Sequence, residues 1–552
     1  MTTATIPQPT ETQRDYARLQ ERVLARDQVG SGEVFYDLIR SGRPLVEMLR
    51  ELVTIHAPYT HVPYHQRIDN GTVRFVNNDH CLLSCRTSLH LQKYIGGSGV
   101  LEFLPLAQSM WYVPSGLDPW NQLLGKMPGH YNRRGLGMEP IPGTPTPEIH
   151  REDAAPLYIE GTLDERLNQW LSWVQRGEVD KAYRLFLALL EEPDREKVLG
   201  QLVFAGLIDV QDRMLFNRSY TTGHKAYRAR ATVELGDAVG WENAHSIVYA
   251  GVPDMAVGPR WYSNYEMAGE IAWTQLAEED ERQRSSIAPS PLLPPERRLL
   301  ANEVPLTASE SSMLMYALTK APDPAYIEAI SSLLLAGKNP RQIVSVFQLA
   351  ASKLILQTGD SFSFSMSQHC AEYANTLGWF FDRFDHPHRL KLLYVAGSFI
   401  CQTAHWLRNS PRNGEEANSA PREAEGASPL KILERLDDAL VRRVPGESVG
   451  WVRAYLATGR DRKPLIRTLA LGAAKQGNDT HNQELGLCFL EDYTTNHERE
   501  RDLLLMASAH HTAGHVKYGD ALEPFRRFAE AFSIDSDQLT RGDLDPKEAL
   551  LD

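Results

Sequence analysis

The sequence predicts a mostly α-helical protein: a multi-helical bundle of repeated helical hairpins, with a small irregular N-terminal segment that contains a β-hairpin. The main observation is a recurring unit, in which a histidine opens a helix that is followed by a break and a second helix. Its three copies lie at Phe216–His245, Phe364–His405 and Asp479–His515. Because the copies differ in length and lie far apart, they favour a bundle with inserted loops over a regular solenoid.

Composition excludes several classes of protein. The chain of 552 residues carries a formal net charge of -13 without any long run of basic residues, which argues against nucleic acid as a partner. No stretch approaches the roughly 18 to 20 apolar residues that a membrane span needs, and the polar N-terminus does not resemble a signal peptide. Five sparse cysteines indicate reduced thiols. We therefore expect an acidic cytoplasmic protein that binds a small molecule, and the sequence leaves a homo-oligomer open.

The N-terminal part is expected to be a disordered tail over residues 1–14 and an irregular region over residues 15–136. Asn70-Gly71, beside the alternating run Thr72–Val76, predicts the β-hairpin. A loop rich in aromatic residues, prolines and glycines follows at Leu104–Tyr131. Its aromatic side chains either anchor the loop or form a wall for an apolar or aromatic substrate. The candidates for substrate binding are Trp111, Tyr112 and Trp120.

Helices dominate the rest of the chain. Thr162 with Glu165 forms a capping box, and Asp323-Pro324 and Asn339-Pro340 each start a helix. Segments rich in proline or small polar residues separate three helical regions. The expected order is a linker at 137–157, helical region 1 at 158–277, a linker at 278–305, helical region 2 at 306–408, a disordered loop at 409–428 and helical region 3 at 429–540.

Three histidines occupy the same place in the three recurring units: His224, His369 and His481 each lie near the start of a first helix. If the hairpins pack around one centre, these imidazoles converge and are suited to a metal site, a haem site or general acid/base catalysis. Glu484 follows His481 by three residues and is a fourth candidate metal ligand. The alternative is that each histidine caps a helix or lies in the core.

Two further residues are candidates for substrate binding. Lys225 follows His224 directly and offers a cation to an anionic substrate, although such basic residues often lie on a solvated helix face. Asn375 lies almost two turns after His369. Motifs of high specificity are absent, because the chain contains no HExxH, CxxCH, Walker A or strand-bound GxGxxG sequence. This pattern favours a protein with a metal, with haem or with no tightly bound nucleotide.

The stretches TTGHKAYRARATVELGDAVGWENAH, LLAGKNPRQIVSVFQLAASKLI and SQHCAEYANTLGWFFDRFDHP resemble the helical repeats of the questin oxidase-like family. The resemblance covers roughly residues 163–531 and does not extend over the N-terminal region. It implies an oxygen-dependent oxidoreductase of the Baeyer-Villiger type, which inserts oxygen next to a ketone of an aromatic polyketide. NADPH would then be a dissociable reductant.

The first functional hypothesis is thus an oxygenase-like oxidoreductase that acts on an apolar or aromatic small molecule. Its histidines would hold iron or haem, or polarise the substrate directly. The second hypothesis is a non-enzymatic helical scaffold or ligand-binding protein. A third is an enzyme without any cofactor.

Overall fold

A computed structural model shows that the chain is mostly helical, which confirms this part of the predicted fold class. The structure describes residues 11–25, 27–60, 67–69, 72–74, 80–96, 99–116, 154–210, 223–256, 264–285, 294–359, 361–409, 420–476, 480–515 and 521–535. Within these ranges it contains 23 α-helices. None of them is both long and apolar enough to cross a membrane.

The N-terminal region of the described chain holds five helices. They are α1 (Glu11–Leu24), α2 (Gln28–Arg40), α3 (Leu45–Thr60), α4 (Cys81–Ile95) and α5 (Leu104–Gly116). The helix α5 corrects the prediction of an irregular loop from Leu104. Its first half is apolar and buried against the core, and this burial outweighs the weak helical periodicity of the sequence. Two short strands, Arg67–Asp69 and Thr72–Arg74, pair antiparallel. The hairpin itself stays a prediction, because its turn lies outside the described residues.

The middle of the chain is helical on both sides of residues 211–222. Its helices are α6 (Leu163–Gln175), α7 (Val179–Leu189), α8 (Arg195–Ile208), α9 (His224–Val239), α10 (His245–Ala256), α11 (Asn264–Ser285) and α12 (Pro295–Leu300). The predicted capping box at the start of α6 is confirmed, because the Thr162 hydroxyl accepts a hydrogen bond from the Glu165 amide and the Glu165 carboxylate accepts one from the Thr162 amide.

The remaining helices follow in hairpin-like succession. They are α13 (Ala308–Thr319), α14 (Ala325–Leu335), α15 (Pro340–Ile355), α16 (Ser361–Arg383), α17 (Arg389–Arg408), α18 (Pro429–Val441), α19 (Pro445–Ala457), α20 (Lys463–Lys475), α21 (Thr480–Thr495), α22 (Asp502–Gly514) and α23 (Glu523–Ala531). The two predicted proline starts are confirmed at α14 and α15, where the Asn339 side chain caps the backbone amide of Arg341. The division into regions and linkers stays a prediction.

Four helices form a closed ring at the centre of the core. The helix α4 packs on α9, α9 packs on α16, α16 packs on α21, and α21 packs back on α4. Each predicted region of the chain, from the N-terminal region to helical region 3, contributes one helix of this ring. All four helices carry buried polar side chains toward their neighbours, which is unusual for a helical core and marks the ring as the candidate site.

Two layers of polar contacts show that the four ring helices run in the same direction. The first layer consists of three histidines within the helices, His224, His369 and His481, and of His80, which directly precedes α4. The second layer lies further along each helix and contains Arg86, Arg230, Asn375 and Glu491, together with Glu234 and Asp492. Because the first layer precedes the second in every helix, the ring is parallel.

Candidate metal centre

The three histidines that head the recurring units converge. The ring centroids of His224 and His369 are 4.4 Å apart, those of His369 and His481 are 5.2 Å apart, and those of His224 and His481 are 6.0 Å apart. His224 is the first residue of α9, His481 is the second residue of α21, and His369 lies in the third turn of α16. The predicted convergence is therefore present in the structure.

A fourth histidine, His80, completes the group. It directly precedes α4, and its ring centroid lies 4.6 Å from that of His481 and 5.1 Å from that of His224. Sequence reasoning missed His80 because the recurring unit has no copy in the N-terminal region. The available signal was its place at a helix start, which it shares with His224 and His481.

Among the described residues, two trios bring their donor atoms close enough together that they could hold a metal ion. The first trio is His80, His224 and His481, and the second is His369, Glu372 and His481. Within each trio the candidate ligand atoms lie within 4.8 Å of one another. Since a transition metal binds imidazole nitrogen at about 2.1 Å, small side-chain rotations would close either trio on an ion. His481 belongs to both trios.

Glu372 is a second residue that sequence reasoning missed. It follows His369 by three residues, just as Glu484 follows His481, so both helices carry the sequence His-x-x-Glu. This spacing places the two side chains on one helix face. Glu372 is buried and belongs to the second trio, whereas Glu484 belongs to neither trio. The Oε1 atom of Glu484 lies 3.3 Å from Nδ1 of His80 instead.

A metal would meet neutral imidazole at His224. Burial, together with the neighbouring His369, His80 and His481, holds the pKa of His224 well below its usual value. Within the part of the chain that the structure describes, neither ring nitrogen of His224 has a hydrogen-bond partner. Metal ligands must be deprotonated, so this histidine is ready to bind an ion at neutral pH.

Gly223 explains how the chain brings His224 so close to His369. Its φ angle is +94°, a left-handed conformation that a side chain disfavours. A Cβ atom at this position would lie 3.3 Å from the backbone oxygen of His369 and 3.5 Å from Cβ of Tyr373. The absence of a side chain therefore allows the start of α9 to approach the backbone of α16.

A network of ion pairs lies in the second layer, further along the ring helices than the histidines. Arg86, which is fully buried, donates to Glu234 and to Glu491, with a distance of 2.6 Å in each case. Arg230 contacts the same two carboxylates at 3.2 and 3.0 Å. Burial alone raises the pKa of Glu234, but Arg230 and Arg86 outweigh it and hold this pKa well below its usual value. Both carboxylates are thus ionised and paired.

The candidate substrate residues lie in different surroundings. Lys225 donates to Asp209 at 2.6 Å and to the Met255 backbone oxygen at 3.1 Å, so its ammonium group is engaged within the fold. Asn375 accepts from Arg230 at 2.6 Å and donates to Asp492 at 2.8 Å. Their role in substrate binding stays a prediction. Trp120 and the side chains of Trp111 and Tyr112 lie outside the described residues.

Asp492 makes a pH-dependent contribution to stability. Burial raises its pKa to about 7, and its Oδ1 accepts hydrogen bonds from Asn375 and Gln348, each at 2.8 Å. An acid whose pKa is raised by folding destabilises the folded state as pH rises from the unfolded value toward the folded one. We expect Asp492→Asn to stabilise the protein by about 4 kcal/mol at pH 8, with little effect at pH 4.

Urea denaturation of the wild type and of Asp492→Asn at these two pH values measures the difference. The exposed Asp438→Asn, on the surface of α18, is the control and should not change the pH profile. An equal effect of Asp492→Asn at both pH values would show that the carboxyl group does not titrate in this range.

Comparison with family models, with curated proteins and with solved structures finds no match to this chain.

Proposed function

We propose that this protein is a metal-dependent oxidoreductase with a mononuclear, non-haem site inside the four-helix ring. The observation that carries the proposal is the pair of ligand trios that share His481. His224 belongs only to the first trio and His369 only to the second, yet their ring centroids are 4.4 Å apart. This short distance favours one ion between the trios over two separate ions. The proposed ligands are His80, His224, His369, His481 and Glu372.

The donor set favours a first-row transition metal. Imidazole suits iron, copper, nickel and zinc, whereas calcium and magnesium prefer oxygen ligands. Five protein ligands leave one position of an octahedral ion for an exogenous molecule, which distinguishes this set from a closed tetrahedral zinc site. The rings also lie in contact with one another, with no space between them for a porphyrin. Iron is thus the ion that we propose.

Iron held by these residues, with a position left open among buried side chains, would support chemistry with molecular oxygen. Iron supplies the redox step when bound, and the protein excludes water and holds the ligands in place. The resemblance to questin oxidase-like proteins suggests an aromatic ketone as substrate, with NADPH as a dissociable reductant. These finer assignments are part of the proposal.

Elemental analysis of the protein purified from iron-supplemented cells tests the proposal. We expect close to one iron per chain, and we expect nitric oxide, as a probe for an open position, to change the electron paramagnetic resonance spectrum of the ferrous protein. Bound zinc without an open position would indicate a structural metal and a non-enzymatic role. Metal-free protein that binds no added ion would contradict the proposal and favour the cofactor-free alternatives.

A further inference from the structure

Glu484 contacts a histidine from a different helix. Its Oε1 lies 3.3 Å from Nδ1 of His80, and both side chains are about 1 % exposed. We propose that Glu484 is a positioning residue, which holds His80 in the tautomer that binds the metal. The inference rests on the proposed metal site and assigns to Glu484 a role that differs from that of a ligand.

The chemistry of imidazole gives this contact its direction. A carboxylate only accepts hydrogen bonds, so Nδ1 of His80 must carry the proton that it donates to Glu484. The lone pair of the neutral ring then lies on Nε2, and this nitrogen is the one available to a metal. A carboxylate behind a ligating histidine also makes the ring a stronger donor.

The positions of the two acidic residues support different roles. Glu372 and Glu484 occupy equivalent places in the two His-x-x-Glu sequences, three residues after His369 and His481. Glu372 belongs to a ligand trio, but Glu484 does not. The helix α21 thus supplies a ligand, His481, and also the acceptor that orients a ligand 404 residues away from Glu484 in the sequence.

Charge balance gives Glu484 a second effect. Four neutral imidazoles do not offset the charge of a divalent ion, and an uncompensated charge in a buried site costs several kcal/mol or more. The Glu372 and Glu484 carboxylates together supply two negative charges, one in the ligand set and one behind His80. A divalent ion therefore gives a neutral site, whereas a trivalent ion leaves one net positive charge.

Two substitutions separate the hydrogen bond from the charge. Glu484→Gln retains an oxygen that accepts from Nδ1 but is neutral, and Glu484→Leu removes both. Since loss of an outer-shell partner typically weakens metal binding by 10- to 100-fold, we expect about a 10-fold increase in the Kd for Co²⁺ with Gln and about 100-fold with Leu. Circular dichroism checks that each variant is folded. If the Leu variant does not fold, the Gln variant still tests the inference.

A double-mutant cycle with His80→Ala tests whether Glu484 acts through His80. The effect of Glu484→Gln on the Kd should fall below about twofold in the His80→Ala background, because the residue that it orients is absent. An effect of unchanged size would overturn the inference and indicate that Glu484 binds the metal itself. Glu372→Gln is the matched comparison, and its effect should persist in the same background.

Nitrogen NMR of histidine-labelled, metal-free protein provides a readout that does not depend on metal binding. We expect His80 to be protonated at Nδ1 in the wild type and to lose this preference in Glu484→Leu. Protonation at Nε2 in the wild type would overturn the inference. If the wild type binds no metal but shows the expected tautomer, the proposed function fails while the control of His80 by Glu484 stands.

Discussion

Replacement of His481 by alanine should weaken metal binding by more than about 100-fold, the largest effect that we expect from any single histidine. His481 belongs to both ligand trios, so its loss leaves each of them with only two members. Loss of an outer-shell partner alone costs 10- to 100-fold, and loss of a shared ligand should exceed that range. Titration with Co²⁺ or Fe²⁺, with the visible spectrum as readout, measures the affinity.

His510→Ala is the matched control for this prediction. His510 is also a buried histidine, and its Nε2 lies 3.0 Å from the Thr358 backbone oxygen, outside both trios. Both substitutions remove a buried imidazole, so both should destabilise the fold, but only His481→Ala should release the metal. Full metal occupancy in folded His481→Ala would show that the metal does not bind at the four clustered histidines.

Replacement of Arg86 by methionine should lower the free energy of unfolding by about 3–5 kcal/mol. The change removes one cation from a buried network and leaves Glu234 and Glu491 with Arg230 as their remaining arginine partner. Breaking a buried ion pair from one side is costly because a desolvated charge loses its partner. Urea denaturation followed by circular dichroism measures this loss.

The exposed Arg442 provides the comparison for Arg86. It pairs with Asp438 and Glu447 on the surface, and 46 % of its side chain is accessible. Its replacement by methionine should have little effect on the free energy of unfolding, because water screens exposed ion pairs. If both substitutions have the same small effect, the stability of the ring helices does not depend on the ion pairs of the second layer.

Much of the fold follows from local rules. The capping box at Thr162 and the start at Asn339-Pro340 are specified by short-range hydrogen bonds and by the fixed φ angle of proline, and sequence predicts them well. The helix α5 is different. Its weak periodicity does not predict a helix, because burial on several sides replaces the amphipathic pattern that is typical of a surface helix.

The site could be predicted in part. Recurrence identified His224, His369 and His481, but it could not identify His80, whose helix belongs to a region without the recurring unit. The repeated His-x-x-Glu spacing was visible and would have identified Glu372. What the sequence did not contain was the closure of the ring, because packing between α4 and α21 depends on contacts between residues some 400 positions apart.

Under the proposed function, closure of the ring would couple metal binding to the order in which the helices dock. Both trios need His481, so neither is complete until α21 has docked against α4 and α16. If the proposed site binds a metal, partly folded chains that lack this docking should hold the ion weakly, and the ion should shift the equilibrium toward the native state by mass action. At a free metal concentration of 1,000 times the Kd the shift is about 4 kcal/mol. The cell's supply of metal would then help to set how much of this protein is folded.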